Sequence, residues 1–238
     1  RYLKEPNNWS RLQELNKVSA DRQIPAGTRI RIPVAWLKPG TAEVVAIRGE
    51  ARLEREAGIS AVERGMKLGV GDRVRTGQDA TLTLRFSDAS TVSVQKDSSV
   101  VVTLMRELTG AVQLAHRIRL DAGRIETSVT PRKTPGSRFE IETPMTVVGV
   151  RGTEFRVAVE KVTRSEVIKG AVGVGDQPEK GVIVPEGFGT VVDASRRPAA
   201  PVALLPAPDV SAIAPLQERP VLQLAFGPVA GAQNYRAQ

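Results

Sequence analysis

The most informative stretch of this chain is residues 143–157, Thr-Pro-Met-Thr-Val-Val-Gly-Val-Arg-Gly-Thr-Glu-Phe-Arg-Val. At its end, Phe155 and Val157 alternate with charged neighbours, which is the pattern of a strand that buries one face. Gly149 and Gly152 separate this strand from the apolar run before it. A phosphate-binding loop would need a lysine and a following helix, and neither is indicated here. We therefore interpret the glycines as a corner between two short strands.

The same alternation continues in both directions, from about residue 43 to residue 193. Glycine also recurs between strand-like runs at Gly49, Gly123, Gly152 and Gly170. Corner glycines that join short strands predict a sheet that coils on itself. We therefore predict a mainly β fold, either a coiled, solenoid-like β-roll or a two-sheet β-sandwich. Nine apolar residues from the alternating runs are predicted to form its core: Leu82, Leu84, Phe86, Val92, Val94, Phe139, Ile141, Phe155 and Val157.

The composition excludes several kinds of chemistry. The 238 residues include no cysteine and one histidine, which excludes disulfides, thiol catalysis, iron–sulfur clusters and multi-histidine metal sites. The single histidine, His116, has no nucleophile motif to work with, and we expect it on the surface or on an edge strand. We predict no catalytic residue, no metal and no cofactor, and therefore a protein that is not an enzyme.

The charges are expected to lie on solvated strand faces. The net charge is +8, but arginine alternates with glutamate along the strand-like runs, unlike the one-sided basic face of a nucleic-acid-binding protein. We therefore predict no nucleic-acid partner. Carboxylate pairs at Glu54/Glu56 and Glu140/Glu142 have arginine neighbours. This arrangement favours an exposed charge ladder over the shielded acid pair of a glycosidase.

Changes in composition divide the chain into five parts. Residues 1–33 predict a small α+β remnant, with a helix carrying Trp9, Leu12 and Leu15 on one face and a strand at 29–32. The five parts are 1–33 α+β remnant, 34–42 connection, 43–193 β domain, 194–219 proline-rich linker, and 220–238 the start of a further β module. The linker composition predicts an extended, semi-stiff segment.

Residues 43–193 resemble the FecR domain, the periplasmic part of the ferric-citrate regulator family. Thr143-Pro144 followed by the Gly-Val-Arg-Gly-Thr-Glu-Phe string of 149–155 is the strongest marker, supported by Gly71-Asp72 and by the run of 82–90. The signature residues that the resemblance assigns are Thr143, Pro144, Gly149, Arg151, Gly152, Thr153 and Phe155. The family usually has glycine where this chain has Ala89. Alanine is poorer in a left-handed turn, so we expect a different hairpin turn here.

Two further resemblances concern the ends of the chain. Residues 1–33 resemble the later two-thirds of a lysin motif (LysM), a family that binds peptidoglycan and other N-acetylglucosamine glycans in a groove between two loops. That resemblance maps half of the groove onto Ile24, Pro25, Ala26 and Gly27, and leaves the other half absent. Residues 221–236 resemble the opening of an immunoglobulin-like or fibronectin type III domain, on Phe226 and Tyr235.

Together these resemblances imply a protein of the bacterial cell envelope, in the periplasm or associated with the outer membrane. The main expectation is a non-enzymatic protein that associates with peptidoglycan and presents the FecR-type domain as an interaction scaffold. One alternative is a FecR-like regulator that transduces an iron-uptake signal from an outer-membrane transporter. A second is the non-catalytic part of a glycan-acting enzyme. Expected partners are peptidoglycan, envelope or outer-membrane proteins, and a second copy of the chain paired through edge strands.

Overall fold

The computed structural model describes residues 9–18, 24, 28, 30–33, 36, 38–108, 113–131, 138–150, 152–210 and 227–232. These residues form one α-helix, α1 (Trp9–Asn16), and otherwise strands and turns. The mainly β fold with a small helical N-terminal part is confirmed. The described helix is too short and too polar to cross a membrane.

The chain folds as two halves on either side of one long strand, β10 (Gln113–Ser128). The first half contains nine strands: β1 (Lys38–Pro39), β2 (Ala42–Arg48), β3 (Ala51–Arg55), β4 (Gly58–Ala61), β5 (Lys67–Leu68), β6 (Arg73–Thr76), β7 (Thr81–Arg85), β8 (Thr91–Val94) and β9 (Ser99–Leu108). The second half contains eight: β11 (Arg138–Glu142), β12 (Val147–Val150), β13 (Glu154–Val159), β14 (Thr163–Lys169), β15 (Ala171–Gly175), β16 (Val182–Pro185), β17 (Phe188–Val192) and β18 (Val202–Ala203).

These strands form two open sheets that share β10. Sheet 1 has the order β4-β3-β6-β9-β10-β11-β12-β15-β16, with β1 also paired to β9. Sheet 2 has the order β5-β2-β7-β8-β10-β13-β14-β17-β18. All of these pairings are antiparallel except β10 with β11, which is parallel. The predicted coiled, two-sheet arrangement is therefore what the strand pairings show.

Strand β10 belongs to both sheets because it bends at Gly123. Ala122 still pairs with Ser99 in sheet 1, whereas Gly123 pairs with Val159 in sheet 2. The inward-facing positions also change parity there, since Leu120 is buried before the bend and Ile125 after it. A shift of one residue exchanges the two faces of a strand. The bend therefore lets one continuous strand contribute to the same core from both sheets.

The four corner glycines predicted from the sequence are confirmed. Gly49, Gly123, Gly152 and Gly170 have φ values of 72°, 90°, 80° and 89°. Each lies where the chain passes from one sheet to the other: between β2 and β3, within β10, between β12 and β13, and between β14 and β15. The recurrence of glycine in the sequence thus marks the points at which the sheet coils.

A single apolar core fills the space between the sheets, and the prediction of its members is confirmed. All nine predicted core residues are buried, with exposed fractions of 3% or less. Valine, leucine and isoleucine from both halves complete the same cluster. Burial of apolar surface of this kind is the main favourable contribution to folding.

The expectation that His116 lies on the surface or on an edge strand is wrong. Its side chain is 1% exposed, and its ring lies 5.0 Å from the ring of Phe86 and 6.0 Å from that of Phe139. His116 has the same parity on β10 as the buried Ile118 and Leu120, so the pleat directs it into the core. The histidine is part of an aromatic cluster rather than of an edge.

The expectation of a different hairpin turn at Ala89 is also wrong. Ala89 adopts φ 64°, the left-handed conformation in which the family usually has glycine. The hairpin between β7 and β8 is closed by Ala89 N donating to Phe86 O at 3.0 Å and by Phe86 N donating to Ser90 O at 2.9 Å. The turn is retained because these bonds, together with Ser90 donating to the Asp88 carboxylate, over-determine it.

In the N-terminal part the helix is confirmed and the strand is not. Leu12 is buried, but Trp9 and Leu15 are 40% and 48% exposed. The described residues 30–33 form no strand. Asn16 explains this, because its side chain accepts a bond from Arg31 N at 2.6 Å and donates to Arg31 O at 2.8 Å. Both backbone groups of Arg31 are thereby used by the helix end instead of by a neighbouring strand.

Strand pairing extends beyond both predicted boundaries of the β domain. Strand β1 lies in the predicted connection, and β18 lies in the predicted linker. After Asp193 the chain returns along β17, where Ala199 N donates to Val191 O at 2.9 Å and Leu204 N donates to Gly187 O at 2.8 Å. The division into five parts remains a prediction, and most of 220–238 lies outside the described residues.

Candidate functional site

The first residues of the FecR signature form a tight turn between β11 and β12. The Thr143 hydroxyl donates to Thr146 O at 2.9 Å and accepts from Thr146 N at 3.0 Å. It also lies 3.0 Å from the hydroxyl of Thr163 on β14. Pro144 is exposed at the tip, and its carbonyl accepts a bond from Arg196 Nη2 at 3.3 Å. Thr143 therefore links the turn to the opposite sheet.

The next signature residues form the corner between β12 and β13. Gly152 has φ 80°, and a Cβ there would lie 2.4 Å from the Cα of Pro131. Thr153 is buried, and its hydroxyl donates to Ala171 O at 3.0 Å. Phe155 follows as a core residue that is 1% exposed. Arg151 lies outside the described residues. These positions shape the fold at one corner and form no common pocket.

Gly149 is different, because it faces outward from sheet 1. It pairs with Gly173 across β12 and β15. A Cβ on Gly149 would lie 2.6 Å from Cβ of Pro178, and one on Gly173 would lie 2.2 Å from the Pro178 carbonyl oxygen. The two glycines thus form a flat seat on which the loop of residues 176–181 rests. Any larger side chain at either position would displace that loop.

A groove lies beside this loop on the outer face of sheet 1. It has a volume of about 290 Å³, and its floor is the backbone of β11, β12 and β15. Pro178 and Glu179 form one wall, Ala171 and Ile183 lie at the other side, and Arg138 and Glu140 line the end at β11. Ile183 is 59% exposed. The groove therefore combines an exposed apolar side chain with charged groups at one end.

The charges of the groove are paired with each other. Arg138 Nη2 lies 2.8 Å from Glu179 Oε1, which links β11 to the loop over the glycine seat. Arg117 Nε donates to Glu140 Oε2 at 2.7 Å. The Glu140 side chain is only 11% exposed, whereas that of Arg138 is 56% exposed. The exposed Arg138–Glu179 pair can exchange its partners for those of a bound molecule, while the buried Glu140, held by Arg117, fixes the end of the groove.

A separate ladder of ion pairs crosses the other half of sheet 1. Glu54 bonds to Arg75 at 2.7 Å and lies 3.5 Å from Arg73. Arg73 in turn pairs with Asp121, which accepts from Arg119 Nε at 2.8 Å. The predicted charge ladder is therefore present for Glu54. At Glu140 the expectation of an exposed ladder is wrong, because Glu140 is buried and pairs with Arg117. Exposed pairs of this kind contribute little stability individually.

Asp72, which follows the Gly71 marker, is an anchor within this face. Its carboxylate accepts from Arg55 Nε at 3.0 Å, Arg55 Nη2 at 2.8 Å and Gly69 N at 2.9 Å. The bond to Asp72 raises the pKa of the Arg55 guanidinium above its ordinary value. No group of three or more metal-binding side chains occurs in the described part of the chain. The role of Asp72 is therefore to hold Arg55 and the turn at Gly69 in place.

Only one residue of the half-groove assigned by the lysin-motif resemblance is among the described residues. Ile24 is described and is half-buried. Pro25, Ala26 and Gly27 lie outside the described residues. Glycan binding at these positions therefore remains a prediction.

Comparison with known families supports the main resemblance. Residues 72–173, less than half of the chain, match the family described as FecR protein. The match runs from the Arg55 partner Asp72 to the groove glycine Gly173. The match over residues 72–173 therefore supports the FecR part of the expected resemblance. The match leaves residues 1–33 untouched, and the lysin motif there stays a prediction.

Comparison with known structures finds matches that include two crystal structures from Parabacteroides distasonis ATCC 8503, each described as a "putative anti-sigma factor". Their TM-scores are 0.45 and 0.44, and in both cases the sequences are 16% identical. Each match covers 55% of this chain and 59% of that chain, so this chain spans less than two thirds of that protein. A search of curated proteins finds no match.

The groove itself was not predicted from the sequence. Its signal is the repetition of Val-Gly-Val at 148–150 and at 172–174. A glycine at an outward position in each of two strands suggests close approach of another segment. Only the pairing of β12 with β15 brings these two glycines together.

Proposed function

We propose that this chain is a FecR-like regulatory protein of the bacterial cell envelope, which acts by binding other proteins and not by catalysis. The observation that carries the proposal is the FecR match over residues 72–173, which includes both glycines of the groove. Iron supply is the signal that the family resemblance implies. An envelope or outer-membrane protein is the partner we propose on the same basis.

The groove is the proposed docking site for that partner. Its backbone floor, exposed Ile183 and exchangeable Arg138–Glu179 pair suit an extended polypeptide segment. Such a segment could place one apolar side chain on Ile183 and one charged side chain at the ion pair. The residues that line the groove include no serine, cysteine or histidine, which favours binding over nucleophilic chemistry.

The other candidate function, a scaffold that binds peptidoglycan, rests on a different part of the chain. It depends on residues 1–33, of which about half are described, and on no feature of the β domain. The described residues lend it no support, and we therefore place the regulatory function first.

The proposal is tested by measuring transcripts in the source bacterium after deletion of the gene. A regulator predicts that deletion changes a small, coherent set of transcripts under iron limitation. Replacement by Ala171→Trp, which fills the groove from an exposed position, should reproduce that change. Val70→Trp, at a position that is 47% exposed and outside the groove, is the matched control. Unchanged transcripts, combined with sedimentation of the protein on peptidoglycan, would instead support the scaffold.

A further inference from the structure

Strand β4 forms an edge of sheet 1 that lacks the usual protection. All four of its residues, Gly58 to Ala61, are exposed, and Ile59 is 70% exposed. Among the residues that the structure describes, only β3 pairs with it. Gly-Ile-Ser-Ala contains no charge and no proline. Native proteins normally protect an edge of this kind against pairing.

The other sheet edges are blunted in ways that β4 is not. Strands β5 and β18 have two residues each, and β5 carries Lys67. Strand β16 ends at Pro185, which has no N–H to donate. Of the described edges, β4 therefore offers the best template for another strand.

The direction in which each residue of β4 forms its backbone hydrogen bonds determines which groups are available to another strand. Val62 N donates to Ala51 O at 2.9 Å, so Val62 directs its backbone groups toward β3. Adjacent residues of an antiparallel strand alternate in this respect. Ser60, two residues before Val62, therefore also faces β3. The N–H and C=O groups of Ile59 and Ala61 point away from β3, toward the open edge.

We propose that two copies of this chain pair through β4, antiparallel, about a twofold axis at Ser60. In this register Ile59 of each copy lies opposite Ala61 of the other. Each of these two pairs exchanges both of its backbone hydrogen bonds, which gives four bonds across the junction. The side chains of Ile59 and Ala61 cover each other on the outer face, and the two copies of sheet 1 become continuous.

The flanking charges favour the same antiparallel arrangement. Glu56 lies in the turn before β4 and Arg64 in the turn after it, so the twofold axis brings Glu56 of each copy to the end of the junction where the other copy has Arg64. Both residues are exposed, and neither has an ion pair among the described residues. A register shifted by one residue would oppose Ile59 to Ser60, whose backbone groups already face β3.

Two other registers, with axes at Ile59 and at Ala61, also oppose outward backbone groups to each other. The first would need Ala57, which lies in the turn between β3 and β4. The second would need Glu63, which lies beyond β4 and whose N–H and C=O already bond to Met66. Each of these registers forms only its central pair, whereas the axis at Ser60 uses the outward groups of both Ile59 and Ala61.

The association is tested by sedimentation equilibrium of the purified chain over a range of concentrations. The small contact predicts a reversible dimer with a Kd on the order of 100 µM. Ile59→Lys and Ala61→Pro should both yield monomers, because one adds charge to the edge and the other removes an outward donor. Ile183→Lys is the matched control, since Ile183 is 59% exposed on the other edge of sheet 1. Thermal unfolding of each variant verifies that it is folded.

A charge exchange tests the antiparallel arrangement of the two strands. Glu56→Arg and Arg64→Glu should each weaken the dimer by roughly ten-fold, because two opposed pairs become like-charged. The double variant should restore the original Kd to within about three-fold. A monomer at all concentrations would overturn the proposal, as would a dimer that tolerates Ile59→Lys. Failure of the double variant to recover would overturn the antiparallel arrangement. None of these outcomes depends on the regulatory function.

Discussion

Ser98 lies directly against Gly123 at the point where β10 passes from one sheet to the other. A Cβ on Gly123 would lie 2.5 Å from the Cα of Ser98. The Ser98 hydroxyl accepts a bond from Arg124 N at 2.9 Å, so the contact is also closed by a hydrogen bond. The strand that holds the two halves together thus depends on one residue without a side chain.

The first prediction concerns this contact. Gly123→Ala should lower the free energy of unfolding by about 2–4 kcal/mol, because it combines a left-handed φ with a clash against backbone. Gly65→Ala is the control, since Gly65 has a nearly equal φ of 87° but has no atom within 4 Å of the added Cβ. Urea denaturation measures both. Equal effects of the two substitutions would show that the close approach to Ser98 is unimportant.

The second prediction concerns the core residue of the signature. Phe155→Ala should cost about 3–5 kcal/mol, because it removes a large buried ring from between the sheets. Ile183→Ala, at an exposed position of the same half, should change stability by less than about 0.5 kcal/mol. The measurement is again a urea titration. A value within about 1 kcal/mol of the wild type for Phe155→Ala would contradict the placement of this ring.

The third prediction concerns the left-handed Ala89. Ala89→Gly should stabilise the protein by about 0.5–1 kcal/mol, because glycine relieves the left-handed strain at a small cost in chain entropy. The increase should appear as a higher urea midpoint with an unchanged slope. Destabilisation by this substitution would mean that the β7–β8 turn does not adopt the observed conformation.

The fourth prediction concerns the turn after β17. Hydrogen bonds from Ser195 lower the pKa of the Asp193 carboxyl below its ordinary value of 3.8. The stabilisation linked to this ionisation is present above the unfolded pKa and is lost as the pH falls through the lower, folded value. Ser195→Ala should move the Asp193 pKa back toward 3.8, as measured by NMR titration. An unchanged pKa in that variant would contradict the assigned bonds.

Much of the fold was accessible from the sequence because strand alternation and corner glycines are local signals. Phe155 and Val157 are buried as their spacing predicts, and Gly152 forms the corner that was expected. His116 was misjudged from its residue type, although its parity with Ile118 predicts burial. At Ala89 the hydrogen bonds of the turn outweigh the preference of the residue.

The groove was not accessible in the same way because it arises from non-local pairing. Gly149 and Gly173 become neighbours only when β12 pairs with β15, and the loop that carries Pro178 then covers them. Either glycine, taken alone, is compatible both with close packing of a loop and with a position that merely weakens a strand. The open edge of β4 likewise could not be predicted, because it depends on how the other strands of sheet 1 pair with each other.

The most direct test of the proposed function is site-specific photo-crosslinking in the source bacterium. A photoreactive residue at Ile183 should form one discrete adduct with an envelope protein, and Ala171→Trp in the same chain should abolish that adduct. The same photoreactive residue at Val70, which is also exposed, should form no such adduct. No adduct at Ile183, or the same adduct at both positions, would contradict the assignment of the groove as the docking site of a regulatory protein.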